Sequence, residues 1–406
     1  MIKMILVALV LGAIAGWILG PDAIHLKWIG TIFINLIMMI IAPLVFFSIV
    51  SGIVLMGDPK KLGRIGLKSF LIFVATTCVG IMIAIGISTL LQPGVGIPAD
   101  ILEFNHTAAA APAAERPTIL DILMGVVPSN ALKALTERNI LQVIFFAVMM
   151  GVIIVLLKDK TPRTAELMHE GAEISYGIIG AIIKLAPLAV FALTAWSIGV
   201  LGVDAVRALT MLMVTVVAAC IIQYFVFGIS LLLSGVNPIP FYKKSIGYQL
   251  IAFSTSSSTA TLPTTMKTIT KDLGVSQSTA AMVAPLGATI NMNGTAIYLT
   301  ASTMFVAQLG GITFGFNEYS IILTTIVLLS IGTAAVPSGS LIMMPVVFGA
   351  VGLPVEAIGL ILGVDRILDM VRTTLNVTGD AATSVIVEQT EGALKEGVYH
   401  APTEEA

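Results

Sequence analysis

Long apolar runs separated by short polar or basic segments dominate the first 234 residues. They fall near residues 4–20, 29–57, 66–92, 139–157, 174–202 and 205–234. A helix of about 20 apolar residues crosses a bilayer, so each run predicts a transmembrane helix, the longer ones tilted or extending past the membrane. Lys60, Lys61 and Arg64, then Lys158, Lys160 and Arg163, then Lys243 and Lys244 all fall on one side of these spans. Positive loops mark the cytoplasmic face, which places the amino terminus inside. Lys3 ahead of an apolar run and Ala13-Ile14-Ala15 mimic a signal peptide, but this sidedness works with the segment retained. Lys184, inside the fifth run, reads as a snorkelling side chain. Residues 93–116, with an Ala-Pro run from Ala108 to Ala114, form an outer loop.

Beyond Phe241 the apolar sequence is repeatedly broken by polar clusters. In Ser254-Thr255-Ser256-Ser257-Ser258-Thr259-Ala260-Thr261, seven of eight residues carry hydroxyls, and Pro263 follows. Non-helical backbone at membrane depth is tolerated only inside protein or beside a water-filled cavity. Basic residues flank this cluster on both sides (Lys243 and Lys244, then Lys267 and Lys271), so it predicts a re-entrant hairpin entered from the cytoplasm. Asn291-Met292-Asn293-Gly294-Thr295 splits the run from Ala280 to Gln308; it reads equally as interhelical amide bonding or as a break that frees oxygens. Pro337-Ser338-Gly339-Ser340 interrupts the charge-free run from Ile321 to Gly352 and predicts a second hairpin, opening outward.

The last span carries Asp365, Arg366, Asp369, Arg372 and Asp380 within sixteen residues. Asp365, Asp369, Arg372, Asn376 and Asp380 are spaced 4, 3, 4 and 4, which aligns them in one stripe of a helix. Intramembrane ionisable groups are costly and face a cavity or a partner. A neutralised structural network, with Asp369 paired to Arg372, accounts for Asp365 and Arg366 but leaves Arg372 and Asp380 beside Asn376 unexplained. Two broken hairpins of opposite sidedness, each followed by a polar-bearing span, follow the inverted-repeat plan of secondary transporters. Arg372 offers a planar fork to a carboxylate, and Asp369 can receive an ammonium, which together describe a site for an acidic amino acid.

Composition agrees. Of 406 residues, 57% are hydrophobic and 11% charged, and mean hydropathy is +1.01; a soluble domain carries about 25% charged residues. The net charge of −2 gives no reason to expect nucleic acid. Cys78 and Cys220, both in apolar runs, exclude a disulfide framework. An intramembrane hydrolase built on a serine of 254–258 would need a nearby base. His25, His106, His169 and His400 all read as loop, span-end or tail residues, so an enzyme is not expected. A passive channel has no need of an Asp369–Arg372 pair.

With these motifs the chain resembles the dicarboxylate/amino acid:cation symporter family, the glutamate transporter family, from Met4 to Glu388. The resemblance rests on the Ser-rich tip before Thr261-Leu262-Pro263, on 285–292 (PLGATINM), on 332–337 (GTAAVP) and on 369–380 (DMVRTTLNVTGD). It implies an all-α integral membrane protein of eight transmembrane helices plus two re-entrant hairpins, working as an elevator in a homotrimer. In that plan 1–92 holds helices 1–3, 117–234 helices 4–6, 235–390 the transport core and 391–406 a cytoplasmic tail. Helices 1, 2, 4 and 5 are scaffold; helices 3 and 6 join the moving part. The expected home is a prokaryotic inner membrane, both termini cytoplasmic. Expected cargo is L-glutamate or L-aspartate with Na+ and/or H+, with a C4-dicarboxylate or neutral amino acid as alternatives and no cofactor.

By the same resemblance Arg372 binds the substrate side-chain carboxylate. Asp369 takes the amino group, with Thr373 beside it and Val336 adding a carbonyl. Ser258 and Asn376 hold the α-carboxylate, within a tip that includes Ser256 and Ser257, while Thr295 and the second tip at Gly339 and Ser340 approach the distal end. Gly287, Asn291, Asn376 and Asp380 match one sodium site, and Thr289, Ser330, Ile331 and Thr333 another. Asn293 stands where sodium-coupled relatives have aspartate and Phe73 where they have tyrosine, although Thr76 and Thr77 remain; a third cation site is expected to be degraded. Leu299 replaces a proton-carrying glutamate. Ser256 stands where some prokaryotic members have an arginine, for which Arg366 can substitute by pairing with Asp369 or Asp365.

Overall fold

A computed structural model describes residues 2–55, 64–96, 125, 127–137, 140–157, 160–330 and 339–402. Every regular element among them is helical. The amino-terminal helix α1 (Ile2–Leu19) passes through a 3-10 turn (Gly20–Leu26) into α2 (Lys27–Leu55), and α3 (Arg64–Leu91) follows. Next come a short α4 (Ala131–Thr136), α5 (Ile140–Leu157), α6 (Pro162–Ile183), α7 (Ala186–Leu201) and α8 (Val203–Leu233). Among the described residues, Val7–Val54, Arg64–Leu91 and Val206–Leu233 are long and apolar enough to cross a membrane. The pair Pro162–Ile182 and Ala186–Gly199, bent by 50°, makes a fourth.

That bent pair corrects the fifth expected span. It starts at Pro162 rather than near 174, because Glu166, His169, Glu170 and Glu173 make its first turns amphipathic and hide them from hydropathy. It also breaks at Lys184-Leu185, where Pro187 enters the first turn of α7 and brings no N–H for the preceding helix. Lys184 lies exposed at this break, between the two halves of the bent pair. His169 sits in the second turn of α6, near its start, with Nδ1 3.2 Å from Ser51 Oγ on α2.

The second half consists of interrupted helices: α9 (Pro238–Thr255) and α10 (Ser258–Lys271), α11 (Gln277–Ile290) and α12 (Asn293–Leu309), α13 (Phe316–Ser330) and α14 (Gly339–Ala350). A single long helix, α15 (Ile358–Thr390), and a short α16 (Glu396–His400) end the fold. The first break is narrower than the hydroxyl cluster suggests. Only Ser256, left-handed at φ 52°, and the extended Ser257 leave the helix. Pro263 lies within α10 rather than ending the break. Serine and threonine hydroxyls bond back to helical carbonyls, as Thr255 and Thr261 do at 2.9 and 2.8 Å, so a run of them survives inside a helix.

Two packing groups result. The helices α1, α2, α5, α6 and α7 lie chiefly on one another, whereas α3, α8 and the pairs from α9 to α12 surround α15. In the first group small residues let backbones touch. Gly12 and Gly16 of α1 face α7, and a Cβ at Gly16 would collide with the Ala195 carbonyl. In the second group Gln308 ties α12 to the end of α3, donating to Ser88 O at 2.9 Å and accepting from Gly94 N at 3.0 Å. At the opposite end of α3, Lys68 Nζ lies 2.5 Å from Glu391 Oε1, and Arg64 pairs with the same carboxylate. The Lys68 hydrogen bond and both positive charges hold the Glu391 carboxyl below its usual range.

Filling the α1–α7 contact tests this packing. Gly16→Leu forces the two backbones apart at a cost of about 1–3 kcal/mol, so thermal unfolding in detergent occurs at lower temperature. Trp17→Ala, at a side chain 82% exposed, leaves the midpoint unchanged. A Gly16→Leu protein as stable as the parent would show that the contact is not close-packed.

Candidate functional site

The stripe read from the sequence lies along the buried face of α15: Asp365, Asp369, Arg372, Thr373, Asn376 and Asp380 are all buried. Arg372 is its centre and is 1% exposed. Its Nη2 donates to Asp365 Oδ1 at 3.0 Å and to Asp369 Oδ1 at 2.8 Å. Its Nη1 donates to Ser340 Oγ at 2.6 Å, and its Cζ sits 3.9 Å from the centre of the Tyr298 ring. Burying an ion costs several kcal/mol unless partners satisfy it, and here two carboxylates, a hydroxyl and an aromatic face do so. Arg366 Nη1 reaches Asp369 Oδ2 at 3.4 Å, so Asp369 is shared by two guanidinium groups. The expected Arg366–Asp369 pair is present. Asp365 is the second carboxylate on Arg372.

Two interrupted helices close on this centre. In the first, Ser257 caps α10 by accepting from Ala260 N at 3.2 Å, while Ser256 and Ser258 are buried beside it. The tip thus presents the start of a helix, whose free N–H groups and dipole favour an anion; α10 itself packs on α15. In the second, Gly339 and Ser340 open α14 and are buried, with Ser340 directly on Arg372. Val336, Ile331 and Thr333 lie outside the described residues.

The break between α11 and α12 also faces α15. Asn376 Oδ1 accepts from Gly294 N at 2.7 Å, and its Nδ2 points to Met292 Sδ at 3.2 Å and Thr295 Oγ1 at 3.5 Å. Gly294 must lack a side chain, since a Cβ would stand 2.6 Å from the Arg372 carbonyl oxygen. Asp380 Oδ1 accepts from Asn291 Nδ2 at 2.9 Å. Gly287 approaches the same carboxylate so closely that a Cβ there would strike it. Among the described residues no basic side chain pairs with Asp380. A buried carboxylate in that setting calls for a cation or a proton.

The candidate third site is also assembled. Thr77 Oγ1 donates to Asn293 Oδ1 at 3.0 Å, and Asn293 Nδ2 donates to Asn291 Oδ1 at 2.6 Å and to Thr76 Oγ1 at 3.4 Å. Phe73, in place of a hydroxyl-bearing ring, packs in an apolar patch with Val283 and Leu286. Thr289 and Ser330 are less engaged: their hydroxyls donate to Leu286 O at 2.9 Å and Val327 O at 2.7 Å on their own helices. Tyr298 was not singled out in the sequence, although its position three residues after Thr295 puts it on the same face of α12. Among the described residues no group of three His, Cys, Asp or Glu could hold a metal ion.

A family described as the sodium:dicarboxylate symporter family matches residues 1–390. A C4-dicarboxylate transport protein of Geobacter sp. (strain M21) is 33% identical over 395 residues, 96% of this chain and 90% of that protein. A proton/sodium-glutamate symport protein of Geobacillus stearothermophilus is 31% identical over 399 residues, 97% and 94% of the two chains. A C4-dicarboxylate transport protein of Bacillus subtilis (strain 168) is 31% identical over 402 residues, with the same coverage. A match along nearly the whole length, around a buried arginine between two broken helices, makes this chain a member of the sodium:dicarboxylate symporter family, a cation-coupled symporter and not an enzyme.

Proposed function

We propose that the protein takes up acidic amino acids, L-aspartate or L-glutamate, together with cations. The observation that carries this reading is Arg372, buried between Asp365 and Asp369 and hydrogen-bonded to Ser340. A substrate side-chain carboxylate replaces Ser340 and part of the aspartate contact on the guanidinium, and the freed Asp369 oxygen receives the amino group. Thr373 stands beside Asp369, and Ser258, Asn376 and Thr295 take the α-carboxylate and the distal end. Counting Asp380, the stripe sets three carboxylates against the two guanidinium groups of Arg366 and Arg372, so a net anionic substrate adds to an excess of negative charge and brings cations with it.

The cation is bound where Asp380, among the described residues, has only an amide as side-chain partner, with Gly287, Asn291 and Asn376 around it. The mobile unit in this proposal is the group around α15, sliding against the α1, α2, α5, α6 and α7 scaffold, with the α9–α10 and α13–α14 hairpins as gates. A homotrimer in a prokaryotic inner membrane, with both termini cytoplasmic, completes the reading and follows the resemblance and the basic loops.

A second reading is favoured by one contact. Arg366 already holds Asp369, and two arginines facing one pocket suit a C4-dicarboxylate without an amino group, the substrate named for relatives in Geobacter and Bacillus. Uptake of radiolabelled aspartate, glutamate and succinate into proteoliposomes, with sodium and proton gradients imposed separately, decides between them. The proposal expects accumulation of an acidic amino acid. Asp369→Asn should lower its apparent affinity by about tenfold or more, because the buried charge loses its partner. Succinate accumulation that survives Asp369→Asn, without amino acid uptake, would transfer the assignment to the second reading.

The amide at Asn293 sets the ion count. It lacks the negative charge that would offset a desolvated cation, and it donates hydrogen bonds to Asn291 and Thr76. Fewer than three sodium ions therefore accompany each substrate, with protons taking up part of the work. Flux-ratio measurements should give a sodium-to-substrate ratio below three, rising by about one in Asn293→Asp as the carboxylate restores the charge. A ratio of three in the parent protein would contradict this.

A further inference from the structure

The chain after α15 turns back onto the base of the first hairpin, and nothing in the transport reading uses it. Lys244, near the start of α9, is buried, and its ammonium donates to the carbonyl oxygens of Asp272, Val398 and Tyr399, each at 2.8 Å. An ammonium has three hydrogens, so all are spent on holding the end of α10 and the short α16 against α9. Tyr399, almost fully buried, donates its hydroxyl to the carbonyl of Asn237, the residue that caps α9, at 2.8 Å. Lys395 N donates to Gly274 O at 3.1 Å. Gly274 is left-handed at φ 70°, and a Cβ there would meet the Lys395 backbone. Just before the turn, the buried Glu388 accepts from Ser276 N at 2.9 Å, at the cap of α11.

Residues 388–400 thus grip both ends of the hairpin, at Asn237 and Lys244 around the start of the first arm and at Asp272, Gly274 and Ser276 after the second. The same segment continues α15, which carries Arg372. We propose that it is a clasp that fixes the base of the α9–α10 hairpin to α15 and keeps the Ser256–Ser258 tip in register with the Arg372 stripe. A hairpin anchored at one end by both arms cannot swing as a body. Its tip opens only as far as the arms bend, or when the clasp lets go. Lys244 is then a positioning residue that never meets the cargo, and its role is the same whichever carboxylate the protein carries.

Hydrogen exchange of the purified full-length protein, followed by peptide, tests this without substrate. In Lys244→Met and in Tyr399→Phe, amides of 250–262 should exchange about tenfold faster or more, a local opening, while α3 and α8 keep the parent rates. Tyr399→Phe removes one hydroxyl and keeps the ring, so it reports even if Lys244→Met fails to fold. Tip exchange equal to the parent in a folded variant would overturn the proposal. Acceleration spread evenly over α3, α8 and the hairpin would also overturn it, because it would mean general destabilisation rather than a clasp.

Discussion

The architecture depends on keeping one guanidinium charged where water cannot reach it. Arg372 is held by Asp365 and Asp369, by Ser340 across from a different helix, and by the face of Tyr298. Each partner comes at a structural cost. Two carboxylates must be buried with it, Arg366 must be drawn toward the second of them, and α14 must pack so that Ser340 comes into contact. Removing any one partner leaves a charge short of its compensation, which costs more than the contact itself contributes. The partners of Arg372 are therefore interchangeable only with groups of the same chemistry, and a substrate carboxylate is such a group.

Helix breaks are the means by which the fold supplies those groups. An intact helix spends its backbone N–H and C=O groups internally. The Ser256–Ser257 break frees the N–H groups that start α10, and the Asn291–Met292 break lets Gly294 N reach Asn376. Glycine at 287 and 294 is required because α11 and α12 come into contact with α15 at those points. The same closeness places Asn291 on Asp380 and Asn293 on Thr76 and Thr77, so the proposed cation and substrate positions share one side of α15. Asn376, bonded to Gly294 and near Thr295, belongs to both proposed positions.

Much of this was legible in the sequence because charge and hydroxyl groups stand out in apolar surroundings. The spacing from Asp365 to Asp380 located the buried face of α15, and the Ser254 and Asn291 clusters located two breaks. Other features carry no such contrast. The start of α6 at Pro162 was hidden because acidic residues in its first turns lower its hydropathy. The narrowness of the first break depends on which hydroxyls bond back to carbonyls, and Pro263 misleads because it lies inside α10, forgoing the bond to the Thr259 carbonyl without ending the helix. Tyr298 looks like any aromatic residue in a span until α15 is packed against it. The contacts of Lys244 are with backbone carbonyls far along the chain, which no side-chain pattern announces.

Calorimetric binding of L-aspartate and L-asparagine to the purified protein tests the central claim most directly, because the two differ only in the group that Arg372 is said to hold. The account predicts that aspartate binds and that asparagine is weaker by a factor of about a hundred or more, as expected when a charged group is left unpaired in a closed site. Equal affinity for the two would show that the guanidinium keeps its internal partners throughout, and that the cargo is gripped elsewhere.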